Sequence, residues 1–349
     1  MDERIFTRYF QAVSLPDAFL AVETVDEALT NGEPPAGLIT DVLARAQRTA
    51  GEKWMSGEWT VADEHAATSV TDQALTVVAP PRPKSRTGLH VVVACAEGEW
   101  HTLPARMAGE LLRGDDLDVS ILGPSIPVDH LRRHLSSTAP DVLALSATMP
   151  VNLIGAARSI AAAREEGIPV VVGGAAWGQG QQRARALGAH LRLDDPREIP
   201  DLLDELRALE PPPLAEIPAE ARWLDDLPQE FVLAAFGRQC ADNAWMARMD
   251  ERQRTESQKD LRWIARYTAA ALACDDPTVV AELLDWLLAL LVPRGVPAGP
   301  VVDSAGYLAD AVEAEAPNGA ALLRQEVVAA HERIAAGNLP DARDDDLVG

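Results

Sequence analysis

Cysteine is scarce in this chain, and positive charge is in short supply. The three cysteines, Cys95, Cys240 and Cys274, are too few and too widely spaced for a disulfide framework or a zinc site. The formal charge is −23 and the pI is near 4.6. That balance excludes direct binding of nucleic acid or of an anionic membrane as the expected mode of action. Long hydrophobic runs are missing too: Leu283–Val292, the most apolar stretch, is too short to span a bilayer. Met1-Asp2-Glu3-Arg4 lacks the apolar core of a signal peptide, and no internal repeat is visible. A cytoplasmic protein is expected. What is present is globular in kind: 349 residues, 47% hydrophobic and 24% charged, enough for two or three domains.

Residues 4–30 place apolar side chains at helical spacing, with Ser14-Leu15-Pro16 expected as a cap and first turn. A third helix is expected from Ala36 to Trp54, and a fourth from Thr60 or Asp63 past Leu75. Four short helices with tight connections read as an antiparallel bundle over residues 1–79. Pro80-Pro81-Arg82-Pro83-Lys84-Ser85 reads as an extended linker. Over 86–210, strands alternate with helices: 89–95, 117–122, 141–145, 169–172 and a weaker 191–193. That alternation predicts a Rossmann-like, doubly wound parallel sheet. A second linker is expected over 211–222, followed by an all-helical domain over 222–338. Its helices are expected at 230–248, 256–273, 278–291, 301–314 and 320–336. The fold class is therefore α/β plus all-α. The acidic tail 341–346 is expected to be disordered.

The first strand runs into Glu97-Gly98-Glu99-Trp100-His101-Thr102-Leu103-Pro104, followed by a helical pattern. Loops at the carboxyl ends of such strands are where doubly wound sheets bind ligands. A histidine two residues after a carboxylate suits an imidazole that ligates a metal while the acid holds its other nitrogen. On that loop alone, a solvent-exposed histidine is the commoner outcome. Upstream, Trp54 is followed after nine residues by Glu64-His65. The two segments together resemble the cobalamin-binding module of the light-sensing cobalamin photoreceptors and of the methyl-carrying corrinoid proteins, over roughly residues 10–210.

That resemblance implies a four-helix bundle capping the upper face of a corrin, with Trp54 over the ring and Glu64 facing an adenosyl ribose. It implies His101 as the lower ligand of cobalt, replacing the cofactor's own base, with Glu99 behind it and Thr102 and Leu103 beside it. The displaced tail then enters the sheet domain near Ser146 and Thr148 and near Gly173 and Gly174. Pro104 departs from the family, which has glycine there. Met55 stands where the adenosylcobalamin photoreceptors have a second cobalt-ligating histidine, which puts a bis-histidine light state through that position in doubt. His65 is close in sequence but is not assigned that role.

The C-terminal third does not look like the helix-turn-helix of the transcriptional photoreceptors, and no such segment is expected at the amino end. A cobalamin module followed by a globin-like helical domain resembles the photocobilins, which bind cobalamin and a bilin. Trp245, Arg262, Arg266 and Tyr267 are the candidate biliverdin contacts, since arginine forks suit propionates. Ordinary core aromatics and solvated arginines remain the competing explanation. Cys240 and Cys274 are expected to be structural thiols, and His331 a poor haem ligand. The expectation is a light sensor rather than an enzyme, holding adenosylcobalamin and biliverdin and signalling to an unidentified downstream protein or through a homo-oligomer. The alternatives are a corrinoid methyl carrier and a cobalamin-storage protein.

Overall fold

The computed structural model describes residues 2–79, 88–114 and 117–337. The expected linker 80–85 and acidic tail 341–346 lie outside them. The first four helices are Glu3–Ser14, Ala18–Thr30, a continuous run over 35–55, and Val61–Val78. Their buried faces meet in one core that includes Val13, Val25, Leu38, Leu43, Val70 and Leu75. The second helix is capped by Asp17, which accepts from the Leu20 amide at 3.0 Å. The cap expected at Ser14 is not there, because that hydroxyl turns back onto the Phe10 carbonyl at 2.8 Å. Within the third helix, Leu38–Ala44 widens to π geometry. The fourth opens with a reciprocal capping box between Thr60 and Asp63.

Five parallel strands form a single sheet: β1 His90–Cys95, β2 Asp118–Ile121, β3 Val142–Ser146, β4 Val170–Gly173 and β5 Leu191–Arg192. Their near-continuous Val, Leu and Ala content fits strands covered on both faces. The order is β2-β1-β3-β4-β5. Sequential winding therefore reverses between β1 and β3, and their following loops diverge to leave a crevice.

The helix Thr102–Gly114 after β1 joins the two layers. Ala105 and Leu112 pack on the sheet, whereas Leu103, Met107 and Leu111 belong to the bundle core. Pro104 falls in its first turn, where the backbone N–H groups have no intrahelical acceptor, so it forfeits no helical bond.

The C-terminal third is helical: Ala219–Asp225, Gln229–Asp242, Ala244–Ala247, Glu251–Cys274, Thr278–Leu291, Ala298–Val312 and Pro317–Ala335. Two features differ from expectation. Residues 219–222, read as the end of a linker, instead open the helix Ala219–Asp225, because Ala221 and Leu224 are drawn fully into the core. The helix expected over 230–248 breaks at Asn243, whose side chain caps a new turn by accepting from the Trp245 and Met246 amides. A contiguous apolar cluster runs from one face of the sheet, including Val92, Leu145 and Val172, into this third, including Leu284 and Leu308. The buried Arg183 guanidinium fastens the same junction, bonding Asp276 at 2.7 Å, Glu282 at 2.5 Å and the Ala176 carbonyl at 3.1 Å. Among the described residues, no helix is long and apolar enough to cross a membrane.

Candidate functional site

The β1 loop delivers Glu99 and His101 to the crevice between β1 and β3. Glu99 is completely buried, and its carboxylate is surrounded by donors. One oxygen accepts from His101 Nδ1 at 2.6 Å and from the His101 amide at 2.9 Å. The other accepts from the amides of Thr148 at 2.8 Å and Met149 at 3.1 Å, and from Asn152 Nδ2 at 3.0 Å. Burial alone would push this carboxyl up, but the bonds from His101 and Thr148 outweigh it and hold the pKa at about 2. A permanent carboxylate at that distance keeps the proton on Nδ1 of His101 and leaves Nε2 with a free lone pair. The His101 side chain is 56% exposed, and Nε2 has no hydrogen-bond partner among the described residues. The bond to Glu99 raises the His101 pKa against the opposing effect of burial, and the charges of Glu99 and Glu64 add to it. Glu64, from the bundle, is thus near enough to His101 for its charge to be felt.

Glycines shape the surrounding loops. Gly98 adopts φ +92° beside Asn152. A Cβ on Gly155 would stand 2.0 Å from the Glu97 carbonyl, so the helix Leu153–Glu165 passes directly over the His101 loop. Gly174, at φ +102°, would bring a Cβ to 2.4 Å from the Ala147 carbonyl. Contact between the β3 and β4 loops is therefore what demands glycine at 174; Gly173 has more room. Ser146 and Thr148 are both buried, and Thr148 Oγ1 has no partner among the described residues.

Above the crevice, Glu64 accepts from Thr68 at 3.0 Å and pairs with His65 Nδ1 at 2.6 Å; the His65 ring is 76% exposed. Met55 is buried. Trp54 lies against Trp286 of the helical third, ring centroids 5.9 Å apart, and Arg294 donates to the Met55 carbonyl at 2.9 Å and to that of Trp54. Sequence reasoning overlooked Asn152 and Gly155, and it read Trp286 and Arg294 as part of the pattern of the helical third without placing them at this site. The Gly98 and Asn152 pair carried the faintest signal, as a glycine and an amide in two loops at one sheet edge.

In the helical third, Arg262, Arg266 and Tyr267 share one helix, and Trp245 lies apart from them. Arg262 donates to the Leu227 carbonyl at 3.0 Å and to Gln229; Arg266 bonds Asp225 and the Val151 carbonyl, each at 3.1 Å. Tyr267 is buried, and burial pushes its hydroxyl well up. Trp245 instead lines a recess with Arg248, Met249 and Gln253. Gln253 and Tyr267 are fourteen residues apart on one helix, about 21 Å at 1.5 Å per residue.

Residues 89–194 match the B12 binding domain family, and residues 5–79 match a second family of the same description. The chain carries a cobalamin-binding module. Over 172 residues it is 30% identical to the HTH-type transcriptional repressor CarH of Myxococcus xanthus, a match that takes in 48% of this chain and 57% of that protein's length. It is 25% identical over 181 residues to the trimethylamine corrinoid protein of Methanosarcina barkeri, covering 50% of this chain and 83% of that one. The solved structure of the Methanosarcina barkeri monomethylamine corrinoid protein superposes with a TM-score of 0.52 at 18% identity, covering 60% of this chain and 100% of that one. That likeness is one of fold. The module's residues fit a cobalt corrinoid: one imidazole has its lone pair free and its other nitrogen anchored, and a buried hydroxyl nearby awaits a partner.

Proposed function

We propose that this chain is a light sensor whose module holds adenosylcobalamin, with His101 as the lower ligand of cobalt. When bound, the cofactor supplies a cobalt–carbon bond that visible light breaks. Glu99 fixes the tautomer and ring orientation of His101, and its own position is fixed by the loop 148–152. Ser146 and Thr148 offer hydroxyls to the nucleotide tail. Trp54 roofs the upper face, and Glu64 accepts from a sugar hydroxyl there. The domain division 1–79, 86–210 and 222–338 is part of the proposal, the last being the unit that receives the signal.

One observation carries the choice of a sensor. The lid segment is tied to the helical third through Trp54–Trp286 and the Arg294 bonds to the Trp54 and Met55 carbonyls. A change in what Trp54 covers is thereby passed to the helices, a bistable contact biased by a ligand. A methyl carrier must open its upper face to two enzymes in turn, and that tie opposes opening. The carrier remains the second reading, because the match to the trimethylamine corrinoid protein spans 83% of that protein. Biliverdin in the helical third is the finer part of the proposal; it is supported by resemblance to the photocobilins rather than by a shared pocket, Trp245 lying apart from Arg262, Arg266 and Tyr267.

The test is absorption of the full chain loaded with adenosylcobalamin, before and after green light, with size-exclusion chromatography on both samples. A sensor changes its spectrum and its hydrodynamic size with no substrate present. A carrier changes only with a methyl donor and a partner enzyme. A red-absorbing band that stays with the protein after biliverdin loading and desalting supports the bilin; its loss removes that part alone.

A further inference from the structure

We propose that Trp177 reads the nucleotide tail of cobalamin: its indole N–H donates to an acceptor on that tail, so that this chain distinguishes complete cobalamin from a tail-less corrinoid. The inference rests on the cobalamin reading above and adds to it a residue that determines specificity.

Trp177 is 0% exposed and stands among the largest fully buried side chains of the protein. Its Nε1 nevertheless has no hydrogen-bond partner among the described residues. Buried donors are nearly always satisfied, and a purely apolar side chain would bring no orphaned N–H here. The neighbourhood indicates what the donor awaits. The Ala147 amide bonds the Gly173 carbonyl at 3.0 Å, and the Ala176 amide bonds the Ala147 carbonyl at 3.2 Å. Thr148 and Trp177 thus each follow directly on a member of the bonded pair Ala147 and Ala176, on the loops after β3 and β4. Thr148 Oγ1 is the other unpartnered buried polar atom there. One hydroxyl and one N–H, both desolvated and both idle, sit at the sheet edge beside the switch point, where doubly wound sheets take their ligands. Gly174 lets the two loops approach closely, since a Cβ there would stand 2.4 Å from the Ala147 carbonyl. The tail is rich in acceptors. It carries a phosphodiester, ribose oxygens and a base, and a base displaced from cobalt by an imidazole has a nitrogen lone pair to spare.

The experiment is an equilibrium titration of the full chain and of Trp177→Phe with hydroxocobalamin and, separately, with cobinamide, which keeps the corrin and lacks the nucleotide. Trp177→Phe should bind cobalamin roughly tenfold more weakly, the worth of about one hydrogen bond to a buried group, and bind cobinamide as the unaltered chain does. Equal affinities for cobalamin in both proteins, or the same loss for both corrinoids, overturns the inference while leaving cobalamin binding intact. Failure of the unaltered chain to bind either corrinoid overturns the cobalamin reading itself. Should the variant misfold, the indole N–H resonance of Trp177 in the 15N-labelled unaltered chain gives the same answer. It should move on adding cobalamin and stay in place with cobinamide; the reverse, or no movement with either, contradicts the proposal.

Discussion

At the residue scale, the account turns on a buried carboxylate with more donors than a neutral group can serve. Glu99→Gln keeps the shape but points an amide N–H₂ at donors that need acceptors. It should cost about 2 kcal/mol and lower the melting temperature of the apo-protein by several degrees. An unchanged melting curve would show that the loop 148–152 does not depend on the charge. Gly155→Ala offers a test with a reversed sign. In an ordinary helix interior this change stabilises by up to about 1 kcal/mol. Here the new methyl collides with the Glu97 carbonyl, so destabilisation by roughly 1–3 kcal/mol is expected, together with weaker corrinoid binding. A variant more stable than the parent contradicts the packing described. The Glu99–His101 pair was legible from sequence because the two are neighbours. The remaining bonds to Glu99 come from 49 to 53 residues downstream: two from backbone amides that carry no side-chain signature, and one from the Asn152 side chain, which nothing nearby in sequence links to Glu99.

At the element scale, the strands were visible as apolar runs and the bundle helices as periodic ones. The boundaries that went astray were decided by local side-chain bonds. Asn243 diverts its helix by capping the next turn, Asp17 takes the cap expected at Ser14, and 219–225 gains its helix from a core supplied by distant segments. Arg183 was equally illegible, its acidic partners lying 93 and 99 residues away. Burial opposes ionisation of Asp276, yet the bonds from Arg183 and Thr278 hold its pKa below the ordinary 3.8. A depressed carboxylate contributes stability above its unfolded value and loses it as pH falls through the lower folded value. The unaltered chain should therefore exceed Asp276→Asn by about 3 kcal/mol at neutral pH, with the gap narrowing only below about pH 4. Denaturant curves at pH 7, 5 and 3 check this; a gap that is already closed at pH 5 contradicts it.

At the scale of the whole molecule, the bonds that join the helical third to the module include the Arg183 cluster, the Arg266 bond to the Val151 carbonyl, and Arg294 with Trp286 against the Trp54 segment. The lid contact spans more than 230 residues of sequence, and no single-sequence pattern announces it. If it relays the state of the upper face, hydrogen exchange over residues 286–297 should rise on illumination of the adenosylcobalamin-loaded chain. Arg294→Ala should show that raised exchange already in the dark. Identical dark and light exchange in the unaltered chain would sever the relay.

Beneath all of this lies the proposal that the His101 imidazole ligates cobalt. The most direct measurement is electron paramagnetic resonance of the full chain, grown with 15N-histidine and loaded with cob(II)alamin. Coordination by His101 predicts each cobalt line split into two by a nuclear spin of one half, and His101→Ala loses that doublet. A three-line pattern from the cofactor's own 14N base, or no nitrogen splitting at all, would contradict the account.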